Sequence, residues 1–326
     1  MEIALYPLKF QPILKDKIWG GTKLKKLFGK TAETDKLGES WELSGYEGDE
    51  SVVVNGFLAG NNLTELIEIY MGELVGDKIF DTYGLNFPLL FKLIDANQNL
   101  SIQVHPGDEV AAERHNSFGK TEMWYVLDAE KDGKLIVGFT QDCSKEEYLN
   151  ALETDNVETL LQKVPVSKGD VFFIPAGLVH AIGKGVVVAE IQQSSDITYR
   201  IYDYKRTDDN GNERELHTEF ALDVINFTAT KNPKTIYKTQ LNEIASLVEC
   251  EYFTTNRLCF NEPLTRNYGT LDTFVVYMCI DGNLIIECNN EKTIVNKGET
   301  VLIPASISEV GLIPEYQATL LEVYIN

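Results

Sequence analysis

The stretch VSKGDVFFIPAGLVHAIG at residues 166–183 returns in altered form as VNKGETVLIPASISEVG at residues 295–311. The Lys-Gly pair and the Pro-Ala dipeptide recur at a constant offset of 129 positions. Each copy follows a glycine turn with a short apolar strand and then a second turn that contains proline. The repeat therefore predicts two related β-modules within one chain.

The two copies differ at positions that matter for chemistry. Gly177 of the first copy corresponds to Ser306, and His180 corresponds to Glu309. A histidine present in one copy and missing from the other predicts one module equipped for metal or acid–base chemistry and one that is not. No histidine follows His217, so we expect the second module to bind no metal.

The remaining sequence extends the β pattern in both directions. Short apolar runs separated by turn residues continue through LLFKLID, GVVVAEIQQ and ITYRIYDY, and almost fill the chain after Leu241. Two amphipathic segments with capping-box starts predict helical insertions at about 62–80 and 144–164. The polar stretch 228–240 is interpreted as a linker. We therefore predict a mainly β protein, a sandwich or barrel, with a domain at 1–235 and a smaller one at 236–326.

Charge and composition exclude several classes of protein. The 326 residues contain 29 basic and 50 acidic side chains, so the formal net charge is −21. An acidic surface disfavours binding to nucleic acid or to an anionic membrane. No apolar run reaches the roughly 20 residues that span a bilayer, and the N-terminus lacks a signal-peptide layout. Five cysteines without a Cys-x-x-Cys pair indicate free thiols, and we expect a cytoplasmic protein.

Four residues form a candidate metal site. Gln103 and His105 lie two apart in a strand-like run, so their side chains share one face. Glu122 lies in another alternating strand, and His180 follows the turn after Pro175. Two imidazoles, a carboxylate and an amide oxygen, with a further position left for substrate, suit a catalytic zinc ion, although iron and manganese also accept this set.

These motifs resemble a known family. The segment from Gly169 to His180 resembles the second cupin motif, with Lys184 where that motif ends in asparagine, and Gln103-x-His105 with Glu122 resembles the first motif, with Gln103 in place of a histidine. Together with flanking segments, this pattern is similar to the type I mannose-6-phosphate isomerases, closely over about residues 5–225. The flanking segments are IWGG at 18–21, GESWELS at 38–44, LIDANQNLSIQVHP at 93–106, GKTEMWYVL at 119–127, FIPAGLVHAIG at 173–183 and IQQSSDITYRIYDYKR at 191–206.

The resemblance implies a fold and an activity. It implies a cupin barrel, a double-stranded β-helix or jelly roll, followed by a second cupin-like module. It also implies interconversion of mannose 6-phosphate and fructose 6-phosphate through an enediolate, with one zinc ion per chain and a sugar phosphate as the partner. Arg200 matches the family's active-site arginine, whose planar fork suits an oxyanion or a phosphate.

The residues themselves suggest the other parts of the site. Lys120 lies two positions before Glu122, so strand geometry places both on one side. Lys120, a metal-bound hydroxide and a nearby carboxylate are all candidates for carrying the proton between C2 and C1. Because the protein is acidic, the sugar phosphate needs a local basic pocket. Candidates for that pocket, besides Arg200 and Lys120, are Lys92 and Lys184, and Trp19 is a candidate for packing on the sugar ring.

Two other functions are compatible with the metal motif. Iron cupin oxygenases also use two histidines and a carboxylate. A non-enzymatic cupin that binds a sugar phosphate would retain the metal for structure. Arg200 and Lys120 beside the ligands favour an isomerase over both. His115 and His217 lie in polar segments, and neither is assigned to the metal.

Overall fold

Antiparallel strands are the main regular secondary structure of the chain, in a computed structural model that describes residues 4–207, 210–289 and 291–326. The strands as far as the predicted linker are β1 (Leu8–Lys9), β2 (Ile13–Gly21), β3 (Leu37–Leu43), β4 (Gly45–Tyr46), β5 (Asp49–Glu50), β6 (Leu89–Ala96), β7 (Ile102–Val104), β8 (Glu122–Ala129), β9 (Lys134–Phe139), β10 (Leu161–Pro165), β11 (Val171–Ile174), β12 (His180–Ile182), β13 (Val186–Gln193) and β14 (Tyr199–Tyr202). The strands after it are β15 (Glu243–Glu249), β16 (Thr254–Phe260), β17 (Leu264–Asn267), β18 (Val275–Asp281), β19 (Leu284–Cys288), β20 (Glu291–Val295), β21 (Thr300–Ile303), β22 (Glu309–Pro314) and β23 (Ala318–Tyr324). The mainly β prediction is confirmed.

All helices among the described residues lie in the part of the chain before the linker. They are α1 (Lys23–Phe28), α2 (Leu63–Val75), α3 (Asp77–Tyr83), α4 (Asp108–His115), α5 (Lys145–Glu153) and α6 (Thr218–Val224), with a 3₁₀ turn at Val157–Thr159. Asn62 and Ser144 each cap a helix through the backbone N–H of the glutamate three residues later, as the sequence predicts. No helix among the described residues is both long and apolar enough to cross a membrane.

The helical insertion predicted at 144–164 is wrong in its last part. After one 3₁₀ turn the chain continues as β10, in which Leu161 pairs with Phe139 and Val164 with Leu135. Both leucine and valine of this strand are buried. A spacing of three residues fits one helical turn, and it also fits a strand that is buried on both faces, as here, where Leu161 and Val164 pack in different cores. Pairing with β9 decides between the two.

The two modules share one strand order, which confirms the repeat. The N-terminal barrel has sheets in the orders β11-β8-β13-β6-β3-β2 and β10-β9-β12-β7-β14. The C-terminal barrel has the orders β1-β21-β18-β23-β16-β15 and β17-β22-β19-β20. Matching strands occupy matching places, β8 with β18 and β13 with β23. One exception concerns the predicted boundary, since β1, at the N-terminus, pairs with β21 and so belongs to the C-terminal sheet.

The two barrels pack back to back through their large sheets. Tyr125 and Val187 of the N-terminal barrel belong to the same apolar core as Met278 and Leu321 of the C-terminal barrel. Their sequence neighbours point the other way, because successive strand residues alternate between faces, and form the separate interior of each barrel. The C-terminal barrel therefore covers a sheet face of the N-terminal barrel.

The linker packs against the N-terminal barrel. Lys234 Nζ forms an ion pair with Asp170 at 2.6 Å, and the Tyr237 hydroxyl donates to the Gly169 carbonyl at 2.6 Å. All five cysteines are free thiols, and of these Cys143 and Cys250 are partly exposed.

Candidate active site

Two histidine side chains lie close together inside the N-terminal barrel, and each donates a hydrogen bond from Nδ1 to a backbone carbonyl oxygen. His105 Nδ1 lies 2.8 Å from the Ile197 carbonyl oxygen, and His180 Nδ1 lies 2.8 Å from the Leu178 carbonyl oxygen. Because a carbonyl oxygen only accepts, each ring carries its proton on Nδ1. The Nε2 atom of each ring is therefore unprotonated, the state in which imidazole binds a metal.

The bare nitrogens and a buried carboxylate converge on one point. The two Nε2 atoms of His105 and His180 are 3.1 Å apart, and Glu122 Oε1 is 3.5 Å from His180 Nε2. Glu122 Oε1 is buried and has no hydrogen-bond partner among the described residues. Acceptors that face each other repel, and the Lys120 ammonium lies near only one of these nitrogens, His105 Nε2. A cation at the centre of the cluster would therefore stabilise it. The residues present fit a divalent metal ion.

Burial keeps both rings neutral. Desolvation, assisted by the nearby ammonium of Lys120, holds the pKa of His105 well below its usual value. Desolvation also lowers the pKa of His180 to about 4. Burial raises the pKa of Glu122 to about 7, and the negative charge of Glu190 adds to the effect while Lys120 opposes it. A bound cation would favour the ionised carboxylate.

Gln103 lies at the cluster, but its amide nitrogen faces the histidine. Its Nε2 is 3.3 Å from His180 Nε2, in keeping with the direct pairing of Gln103 and His180 across β7 and β12. Its Oε1 accepts a hydrogen bond from Ser101 Oγ at 3.4 Å. An amide flip would exchange the two atoms and direct the oxygen to the cluster. The predicted oxygen ligand therefore requires this flip.

A cavity of about 240 Å³ opens beside the cluster. Its walls include four of the five residues that the sequence suggested for substrate contact, namely Trp19, Lys92, Lys120 and Arg200. Gln103 also lines it, so the cavity reaches the candidate metal ligands. Lys184, the remaining basic candidate, is exposed and is not part of its walls.

Lys120 lies between the cavity and the candidate metal ligands. Its Nζ forms a hydrogen-bonded ion pair with Glu122 Oε2 and lies 3.3 Å from His105 Nε2. A second carboxylate, Glu190, has Oε1 4.0 Å from the same ammonium. Lys120 and Glu122 therefore lie on one side of the chain, as their spacing predicts.

Carboxylates also line the cavity, although the sequence motifs did not point to them. Glu190, on β13, lies directly opposite Lys92 on β6 and opposite Trp124 on β8. Lys92 Nζ is 3.4 Å from Glu190 Oε1, and Trp124 Nε1 donates to Glu190 Oε2 at 2.8 Å. Burial opposes the charge of Glu190, but Lys120 and Lys92 outweigh it, so the pKa is lowered and the carboxylate is ionised. A lone acid within the apolar run GVVVAEIQQ was the available signal.

Arg200 reaches the cavity from β14. Its Nη1 donates to the Glu215 carbonyl at 2.8 Å, and its backbone N–H donates to His217 Nδ1 at 3.0 Å. Its Nε is buried without a hydrogen-bond partner among the described residues. His217 thus holds the arginine backbone, and His115 bonds the Tyr199 hydroxyl at 2.8 Å. The structure places both histidines outside the metal cluster.

The C-terminal barrel has other residues at the matching positions. Glu122 pairs with Ile174 as Val275 pairs with Ile303, so valine occupies the place of the carboxylate. The same comparison of paired strands shows that Asn267 occupies the position of Gln103 and that Glu309 occupies the position of His180. None of these replacements supplies an imidazole, which is the physical reason to expect no metal there.

The interior of the C-terminal barrel contains a closed polar network instead. Glu322 occupies the place of Glu190, opposite Tyr277. It accepts hydrogen bonds from Arg266 Nε at 2.7 Å and from the Tyr268 hydroxyl at 2.5 Å. One partly buried arginine thus neutralises one buried carboxylate.

Comparison with known proteins identifies close relatives of the chain. Residues 7–144 match the phosphomannose isomerase type I catalytic domain, and residues 243–321 match the mannose-6-phosphate isomerase cupin domain. Mannose-6-phosphate isomerase ManA of Bacillus subtilis is 38% identical over 94% of this chain and 95% of its own length. A mannose-6-phosphate isomerase of Streptococcus mutans is 36% identical over 92% of this chain and 93% of its own.

Solved structures agree with this result. The crystal structure of mannose 6-phosphate isomerase from Bacillus subtilis superimposes with a TM-score of 0.88 at 31% identity, covering 98% of this chain and all of that one. The apo form of the enzyme from Salmonella typhimurium has a TM-score of 0.77 at 16% identity, covering 99% of this chain, and supports the fold alone.

Proposed function

The chain belongs to the type I phosphomannose isomerases and interconverts mannose 6-phosphate and fructose 6-phosphate, and we propose that one zinc ion assists this reaction. Its ligands would be His105, Glu122 and His180, with Gln103 as the fourth after an amide flip. The observation that carries the proposal is the pair of bare Nε2 atoms 3.1 Å apart beside a buried carboxylate oxygen. Zinc bound there would act as a Lewis acid that stabilises negative charge on a substrate oxygen.

The cavity residues supply the proton chemistry. The reaction removes a proton from C2 and returns it at C1, with an enediolate between these steps. Lys120 and Glu190 are titratable, line the cavity and lie 4.0 Å apart. We propose that they share this work: the ionised Glu190 accepts the C2 proton, the Lys120 ammonium donates a proton at C1, and transfer of a proton from Glu190 to Lys120 restores both groups. Exchange of the C2 hydrogen with solvent, compared in Lys120→Met and Glu190→Gln, distinguishes their contributions.

Charge on the enediolate needs a fixed donor. Arg200 has a buried Nε without a partner among the described residues, and it lines the same cavity. We propose that it donates to the enediolate oxygens, since a preorganised charged donor stabilises charge that develops in the transition state. Trp19 would pack on the sugar ring, and Lys92, held by Glu190, would donate to a sugar hydroxyl.

We propose that the protein works in the cytoplasm on a small-molecule partner. Free thiols at all five cysteines support the proposal that it works in the cytoplasm. The net charge of −21 supports a small-molecule partner and disfavours nucleic acid and anionic membrane. The relatives reported above are isomerases and give no support to an oxygenase or to a non-enzymatic binding protein.

The decisive experiment measures turnover and metal content together. Purified protein is assayed with mannose 6-phosphate before and after chelation, and zinc is then restored. We expect about one ion per chain, loss of turnover on chelation, and recovery with zinc. Full turnover by the chelated protein would contradict the metal proposal. Recovery with ferrous iron but not with zinc would contradict the choice of metal.

A further inference from the structure

A turn of the C-terminal barrel reaches helix α4 of the N-terminal barrel. It joins β15 to β16 and is closed by a hydrogen bond from the Cys250 backbone N–H to the Phe253 carbonyl at 3.0 Å. Tyr252 lies within this turn and packs against the apolar core that the two barrels share. Its hydroxyl donates to Asp108 Oδ2 at 2.6 Å, and Asp108 is the first residue of α4. This hydrogen bond therefore joins the two barrels.

The other oxygen of Asp108 holds the segment that leads into the active site. Asp108 Oδ1 accepts from the Gly119 backbone N–H at 2.7 Å and from Gln193 Nε2 at 2.9 Å. Gly119 directly precedes Lys120, and a Cβ at Gly119 would lie only 2.7 Å from the Asp108 backbone nitrogen. The close approach of these two segments therefore requires glycine. One carboxylate thus accepts hydrogen bonds from three parts of the chain, and such bonds are stronger when the acceptor is charged.

Gln193 continues the hydrogen bonding to the residue between Lys120 and Glu122. Its Oε1 accepts from the Thr121 backbone N–H at 2.9 Å, and its own backbone N–H donates to the Thr121 carbonyl at 3.1 Å. The orientation of the Gln193 amide is determined, because the Asp108 carboxylate only accepts and the Thr121 N–H only donates. Gln193 is buried, so these hydrogen bonds are shielded from water.

This series of hydrogen bonds ends where the placement of a side chain matters for the reaction. Lys120 Nζ forms an ion pair with Glu122 Oε2 and lies 3.3 Å from His105 Nε2 and 4.0 Å from Glu190 Oε1. A group that carries a proton must come within about 2.6–3.2 Å of the atom that it serves. A displacement of about 1 Å lowers a rate by about 100-fold. Hydrogen bonds that fix the backbone at Thr121 therefore affect the reaction rate through Lys120.

We propose that Tyr252 is a positioning residue for catalysis, which acts through Asp108 and Gln193 on the placement of Lys120. The C-terminal barrel then contributes to turnover as well as to the fold. The inference rests on the proposed function, in which Lys120 donates a proton. Without the Tyr252 hydroxyl, the Asp108 carboxylate is free to rotate away from its other two donors, and the segment that they hold becomes looser.

Tyr252→Phe tests the proposal because it removes the hydroxyl and retains the packing of the ring. We expect kcat to fall about tenfold, while KM for mannose 6-phosphate and the metal content stay near the wild-type values. Tyr237→Phe is the matched control, since its hydroxyl also donates at 2.6 Å, to the Gly169 carbonyl, and it should leave kcat near the wild-type value. Thermal unfolding of both variants separates loss of stability from loss of position. Wild-type kcat in Tyr252→Phe would overturn the proposal, and so would an equal loss in Tyr237→Phe.

Further variants test the route through Asp108. Asp108→Asn retains an oxygen for Gly119 and Gln193 and offers an amide donor to the Tyr252 oxygen, so it should recover most of the rate that Asp108→Ala loses. If Tyr252 acts through Gln193, the kcat of the double variant Tyr252→Phe with Gln193→Leu should equal that of Gln193→Leu alone. Losses that multiply in the double variant would overturn this route.

Hydrogen exchange at the Thr121 amide, which donates to Gln193, tests the proposal independently of turnover. The exchange rate should rise about tenfold in Tyr252→Phe, and it should stay unchanged in Tyr237→Phe. An unchanged rate in Tyr252→Phe would overturn the proposal. If wild type fails to turn over mannose 6-phosphate, the proposed function fails, while hydrogen exchange still decides whether Tyr252 holds the segment at Thr121.

Discussion

Replacing Arg200 by alanine removes one positive charge from the cavity at little expected cost to the fold. The guanidinium donates through Nη1 to the Glu215 carbonyl and has no carboxylate within 4 Å in the parts of the chain that the structure describes. Its removal therefore leaves no buried carboxylate unpaired. We expect the free energy of unfolding to change by about 1 kcal/mol, the net value of one ordinary hydrogen bond.

The effect on catalysis should be much larger. An enediolate oxygen about 4 Å from a guanidinium gains about 4 kcal/mol in surroundings with an effective dielectric constant of about 20. Loss of a single preorganised donor to a developing oxyanion typically lowers kcat by about 10²–10³-fold. We therefore expect Arg200→Ala to lower kcat by about this factor, while KM changes less than kcat because the interaction strengthens in the transition state.

The assay couples formation of fructose 6-phosphate to a spectroscopic readout and extracts kcat and KM separately. Arg200→Lys is the matched control, since it retains the charge without the planar fork and should recover part of the rate. Metal content and thermal unfolding are measured on each variant. An unchanged kcat with a strongly raised KM would refute the reasoning and assign Arg200 to the phosphate. Loss of the metal ion from Arg200→Ala would instead show a structural role.

Three further predictions concern other parts of the molecule. His180→Ala should reduce metal content from about one ion per chain to near zero while the fold survives. Glu309→Ala, at the matching position of the C-terminal barrel, is the control and should retain the ion. Metal analysis with circular dichroism checks both variants. Lys120→Met should lower kcat by about 10²–10⁴-fold if it moves a proton, and a variant with wild-type kcat would exclude it. Arg266→Met leaves Glu322 buried without its cation and should lower the free energy of unfolding by about 3–5 kcal/mol, measured by denaturant titration, with metal content unchanged.

Local sequence patterns were enough to predict several features. The repeat at 166–183 and 295–311 predicted two β-modules, and the shared strand order confirms it. Alternation along a strand was enough to place Lys120 and Glu122 on one side, because side-chain direction on a strand depends only on parity. The capping box at Asn62 marked a helix start because its hydrogen bonds join residues three apart.

Contacts between distant parts of the chain lay outside those patterns. The helix predicted over the last residues of 144–164 became strand β10 because β9 offered pairing partners. Packing of the two barrels through their sheet faces likewise depends on which face of each sheet remains uncovered after its barrel closes. Period and composition describe each strand, but they do not specify its neighbour.

The sequence by itself determined the mainly β fold and the two modules. It also limited the residues available for a metal site, because the chain has four histidines and only the first copy of the repeat contains one. Only the tertiary structure placed Glu190 opposite Lys92 and brought Arg214 to the same cavity as Arg200. The physical reason is that strand register and the course of the loops decide which charged side chains lie close together inside a barrel. Those charges interact strongly only after folding has removed them from water.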